Sequence, residues 1–106
     1  MRNVGDITAK ICAELVDDIL LVDEGQIERA ITLFVDVEKT IAEGAGAAGL
    51  AAMLAHPTRF QGRRVGLVLC GGNIDTRLLA SVLTRALVRD KRLTSVRIVG
   101  DDRPGL

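Results

Sequence analysis

Apolar positions along this chain follow two periods. Between Asp6 and Asp17, Ile7, Cys12, Leu15 and Val16 fall near one face of a short helix that Asp6 can cap. The run Asp18-Ile19-Leu20-Leu21-Val22-Asp23 is apolar, bounded by acids and has the length of a strand. Asp23 also stands as a helix cap, with Gln26 in capping-box position behind it. Ile27, Ile31, Phe34 and Val35 then recur near the helical period, and Val37 and Ile41 extend the pattern. Gly44 to Ala55 is rich in Gly and Ala and ends in Leu50, Met53 and Leu54. It reads as a helix whose small residues let a neighbour come close, ended by His56-Pro57 because a residue before proline is pushed out of the helical region. Thr58 to Arg64 reads as a polar loop. Val65 to Leu69 reads as a second strand, of the buried type. Asp75 to Arg89 predicts an amphipathic helix with Leu78, Leu79, Val82, Leu83, Ala86 and Leu87 inward. Thr94 to Val99 alternates and predicts a third strand, before a turn-like end over Asp101-Asp102-Arg103-Pro104-Gly105-Leu106.

Helices alternating with short apolar strands predict an α/β fold: a fragment of a doubly wound sheet, three short strands alternating with about four helices. The length of 106 residues gives one small domain or a piece of a larger one, with a modest core. Fourteen basic and fourteen acidic residues cancel, and the only aromatics are Phe34 and Phe60. No long-range field and no ring platform then favour nucleic acid or an anionic membrane surface, so neither is expected as a partner. Cys12 and Cys70 are too few for a disulfide framework, and a reduced, cytoplasmic setting is expected. The start Met1-Arg2-Asn3-Val4-Gly5-Asp6 has no apolar core of a signal peptide.

Chemistry concentrates at two glycine-rich stretches. Gly44-x-Gly46-x-x-Gly49 matches the dinucleotide fingerprint in letters. That fingerprint also needs a preceding strand and an acid about 20 residues further on for the ribose. Here the segment before it is mostly helical, and the next apolar run ends in Cys70. Close helix packing is the better reading of these glycines. Cys70-Gly71-Gly72-Asn73 follows an apolar run and precedes a helix, a place where α/β folds bind ligands. The glycines let the backbone approach a flat ligand, and the thiol can act as a hydrogen-bonding group. A small buried cysteine before a tight turn is the plain alternative. A cysteine nucleophile needs a base, and the only histidine, His56, sits at a proline-bounded break. Two cysteines and one histidine have no zinc spacing, so no metal is expected. Lys10, Lys39 and Lys91 are the only lysines, each in a mixed-charge setting without a phosphate loop beside it.

From about Gly5 onward the chain resembles the catabolic-type threonine ammonia-lyases, pyridoxal-phosphate enzymes of the tryptophan-synthase-β fold type. The matching stretches come in family order: Gly5-Asp6-Ile7-Thr8, Leu15-Val16-Asp17-Asp18, Val22-Asp23-Glu24, Ala42-Glu43-Gly44-Ala45-Gly46-Ala47-Ala48, Val68-Leu69-Cys70-Gly71-Gly72-Asn73-Ile74-Asp75 and Leu87-Val88-Arg89-Asp90. Asp102-Arg103-Pro104-Gly105 resembles the opening of the ACT regulatory domain that follows in many members. The resemblance implies that residues 1–92 are the C-terminal segment of the catalytic domain. Residues 93–106 would be the last strand and the truncated start of an ACT-like domain.

The resemblance also assigns roles. Cys70 stands where the family places a Ser or Cys that hydrogen-bonds the pyridine nitrogen of the cofactor. A neutral partner there tempers the ring's electron-sink character. Gly71, Gly72 and Asn73 would shape the far side of the ring. Glu43 resembles the family's acid near the ring's edge, with Gly44 as its close-approach neighbour. The implied reaction is loss of water and then ammonia from threonine or serine, giving a 2-oxo acid. The family's Schiff-base lysine, phosphate-cradling glycine loop and substrate-carboxylate loop match nothing in these 106 residues. The chain is therefore expected to bind no pyridoxal phosphate alone and to be inactive alone. A piece of a sheet should also expose edges and helix faces that favour a homo-oligomer. The other reading, from a different class, is a non-enzymatic module that reuses this sub-fold to self-associate or bind a partner.

Overall fold

The computed structural model describes residues 5–100. The Asp102-Arg103-Pro104-Gly105 stretch, read as the opening of a regulatory domain, lies outside the described residues. Five helices follow in order: α1 (Asp6–Leu15), α2 (Glu24–Asp36), α3 (Gly44–Ala55), α4 (Pro57–Phe60) and α5 (Thr76–Arg89).

Local chemistry fixes the helix starts. At α2, Asp23 Oδ1 accepts from the Gln26 amide at 2.8 Å, and Gln26 Oε1 accepts from the Asp23 amide at 2.9 Å. This capping box satisfies two backbone donors reciprocally. At α5, the Asp75 carboxylate accepts from the amides of Arg77 and Leu78, at 2.9 and 3.1 Å. α3 starts at Glu43 without a side-chain cap, and its end at His56 is where the proline places it. Pro57 then opens the single turn of α4, because its missing N–H costs nothing at a first helical position. That turn occupies the start of the segment expected as a polar loop.

The core lies where α2, α3 and α5 meet. Ala30 and Ile31 of α2, Ala47 and Ala51 of α3, Ala42 just before it and Val82 of α5 are buried. Ile27, Phe34, Leu50, Ile74 and Leu79 pack around them. Four of the six residues of this cluster are alanines, so the backbones of α2 and α3 come close and the contact surface is shallow. Arg85 of α5 forks onto Glu28 of α2, with Nε 3.0 Å and one terminal nitrogen 2.6 Å from Oε1. Away from this centre, Arg59 of α4 donates to the Asp18 carboxylate, which lowers that carboxyl below its ordinary value, chiefly through the hydrogen bond. α1 packs against no other helix and none of its residues is buried.

The expected α/β architecture is overturned: among the described residues there is no strand and no sheet. The segments Asp18 to Asp23, Val65 to Leu69 and Thr94 to Val99 carry the apolar residues of strands but have no regular structure. The physical reason lies in where each element finds its hydrogen bonds. A helix closes its bonds within four residues, whereas a strand must pair with a neighbour remote in sequence. No backbone hydrogen bond joins these three segments to one another. Most of their apolar residues stay in solvent instead, with Leu21 at 85%, Val68 at 86% and Ile98 at 89% exposure, while Val22 packs against the core. Two helical expectations also shift. α2 ends at Asp36, so Val37 and Ile41 lie beyond it and are exposed, and Leu78 of α5 is half-exposed rather than inward.

Candidate functional site

The two glycine-rich stretches meet in space. The backbone turns at Gly71, where φ is +83°, a left-handed conformation that glycine adopts without penalty. The turn lies against the start of α3. The amide of Glu43, the residue preceding that helix, donates to the carbonyl of Gly71 at 3.1 Å. A side chain at Gly71 would run into the Glu43 carboxylate and its side-chain carbons. A side chain at Gly72 would stand 3.1 Å from the carbonyl oxygen of Ile41. One at Gly46 would run into the carbonyl oxygens of Cys70 and Gly71. Residues 41–46 and 70–72 thus form one close-fitted unit, although some 27 positions separate Glu43 from Cys70 in the chain.

Each candidate residue has a definite place here. Glu43 is half-buried and its side chain covers the Gly71 backbone. A carboxylate at the start of α3 also sits favourably against the positive end of the helix. A Cβ at Gly44 would meet Ile27 of α2 at an ordinary 3.6 Å and no atom of the turn. Cys70 is a free, exposed thiol, so the alternative of a small buried cysteine does not hold. Gly71 and Gly72 are exposed on the same turn. Asn73 is exposed. The following Ile74 anchors the chain back to the core.

Gly46 is the residue that the sequence assigned only to general helix packing. A cleft of about 470 Å³ is lined by Leu33, Phe34, Val37, Leu50, Leu67 and Leu69, together with Glu38 and Thr40. It shares no residue with the turn, and it offers almost no chemistry. The turn, with a thiol, bare backbone and a carboxylate, is the better candidate. Among the described residues no three His, Cys, Asp or Glu side chains converge as metal ligands.

The sequence model of the pyridoxal-phosphate dependent enzymes matches residues 1–71, which takes in the helix-start stretch, Cys70 and Gly71. The chain belongs to that family. Proteins similar to it include ammonia-lyases and threonine dehydratases. It is 34% identical over 105 residues to an L-threonine ammonia-lyase of Thermotoga maritima, covering 99% of this chain and 26% of that one. It is 39% identical over 106 residues to the L-threonine ammonia-lyase of Geobacter sulfurreducens, covering 99% of this chain and 26% of that one. An L-threo-3-hydroxyaspartate ammonia-lyase from a Pseudomonas species is 35% identical over 82 residues, covering 77% of this chain and 26% of that one. The chain therefore spans about a quarter of the length of these curated relatives. The resemblance to threonine ammonia-lyases drawn from the motifs is thereby shown.

The residues of the turn fit one side of a pyridoxal-phosphate ring. Gly71 and Gly72 leave the backbone bare for a flat ligand, and the Cys70 thiol is accessible for a hydrogen bond. Lys39 donates its Nζ to the carbonyl of Asp36 at 2.5 Å. Lys10 lies on the isolated α1, and Lys91 follows the end of α5 in a left-handed conformation at φ +58°. Among the described residues no helix is long and apolar enough to cross a membrane.

Proposed function

We propose that this chain forms the pyridine-nitrogen side of the cofactor site in a threonine or serine dehydratase. The observation that carries the reading is the bond from the Glu43 amide to the Gly71 carbonyl, which joins the two family-matching stretches into one unit. In this reading Cys70 meets the ring nitrogen as a neutral partner. Gly71 and Gly72 let the backbone lie close to the ring, with Asn73 beside them. Glu43 flanks the ring's edge, and Gly44 gives that residue room. Bound pyridoxal phosphate would supply the electron-withdrawing ring that deaminating chemistry requires. The chain's own part is to orient that ring and keep a charged group away from its nitrogen.

The substrate class follows the relatives, small 3-hydroxy amino acids with threonine first. The product of such a deamination is 2-oxobutanoate with ammonia. The 106 residues are inactive alone in this reading, since none of their three lysines stands in the turn. Their exposed apolar residues, such as Ile7 at 78%, favour a homo-oligomer. Sedimentation velocity at micromolar concentration then gives a dimer or larger species. A sharp monomer contradicts that part of the reading.

Complementation tests the function. The remainder of the Thermotoga maritima relative, lacking the matched region, is co-expressed with this chain. The pair is expected to hold pyridoxal phosphate and form 2-oxobutanoate from threonine, while either chain alone does neither. The Cys70→Ala pair should retain the cofactor but lose turnover. A pair without cofactor and without product would contradict the proposal.

A further inference from the structure

We infer that Gly46 is a positioning residue: its missing side chain sets the depth at which the Cys70-Gly71 turn seats on the start of α3. This inference deepens the cofactor-site reading, on which its functional meaning rests. The geometry is one-sided. A Cβ at Gly46 would collide with the Cys70 carbonyl oxygen, and it would stand 2.9 Å from the Gly71 carbonyl oxygen and 3.2 Å from the Cys70 carbonyl carbon. All three are backbone atoms, so no side-chain rotation relieves the contact. The turn itself must move.

The other glycines of α3 behave differently. A Cβ at Gly44 meets only Ile27 Cγ2 at 3.6 Å, an ordinary contact. One at Gly49 meets only Leu67 Cδ2 at 3.1 Å, the end of a flexible side chain. Gly46 is also buried, whereas Gly49 is exposed. Gly46 and Gly49 both lie within α3, so an alanine at either brings a similar gain in helix propensity. Only at Gly46 does it also displace the turn. The displaced atoms include the carbonyl that accepts from the Glu43 amide, so the link between the two stretches is lost together with the thiol's placement.

The test uses the full chain, labelled for NMR. In the wild-type chain, the Glu43 amide is expected to exchange with deuterium about tenfold more slowly than an unbonded amide, as one retained hydrogen bond implies. Gly46→Ala should abolish that protection and shift the Cys70 and Gly71 amide resonances, while Ala30 and Ile31 in the core keep theirs. Gly49→Ala should leave Glu43, Cys70 and Gly71 unchanged. An unprotected Glu43 amide in the wild-type chain overturns the inference without any variant. So does a Gly46→Ala chain whose Cys70 and Gly71 resonances stay in place, or equal shifts from Gly49→Ala. These readouts need no cofactor, so failed complementation with an intact Gly46 effect would sink the functional reading and leave the positioning role standing.

Discussion

At the residue scale, the turn is held by complementary absences and presences of side chains. Gly71 takes a left-handed backbone and lies under the Glu43 side chain, so Gly71→Ala meets both a torsional and a steric obstacle. The substitution is expected to destabilise the chain by about 1–2 kcal/mol, the usual cost of a side chain at such a position with strain added. Removing the side chain above it should recover part of that loss. Glu43→Ala combined with Gly71→Ala should therefore be less destabilised than the two single effects added together, read by urea unfolding. Strict additivity would mean that the Glu43–Gly71 contact contributes nothing. Much of this was legible in the sequence, because Glu43, Gly71 and Cys70 stand in recognisable motifs. That the Glu43 amide reaches the Gly71 carbonyl was not, since no local pattern encodes a contact between residues so far apart in the chain. The same limit hid the role of Gly46.

At the scale of elements, sequence legibility divides by hydrogen-bond range. The helix from Gly44 to Ala55 and the capping box at Asp23 and Gln26 could be read directly, because their causes lie within a few residues. The three expected strands failed for the opposite reason, as a strand's partners are remote and here none pairs. An apolar run bounded by acids, such as Asp18 to Asp23, fixes polarity but no pairing. Energetically, the α2–α3 seam depends on Ile31, the one large aliphatic side chain among the buried residues of α2 and only 3% exposed. Ile31→Ala should cost about 2–5 kcal/mol, the range for emptying a buried aliphatic site. Thermal unfolding followed by circular dichroism would check it. A loss well under 1 kcal/mol would mean that the seam between α2 and α3 is not the core of this chain.

At the scale of the whole molecule, the radius of gyration is 19.4 Å, against about 13 Å for a compact domain of this length. The small alanine-rich core, the isolated α1 and the exposed apolar segments all agree with that extension. The chain spans about a quarter of its relatives, and its structure supplies one wall of the proposed cofactor site without a lysine in the turn. The central claim is thus a division of labour: this chain orients the ring, and another segment anchors it. The measurement that tests this most directly is a pyridoxal-phosphate titration of the 106-residue chain, followed by borohydride reduction and peptide mapping. The account predicts no visible imine band and no selective label on Lys10, Lys39 or Lys91. A saturable band with one of these lysines labelled stoichiometrically would contradict it, because the chain would then hold a complete anchor of its own.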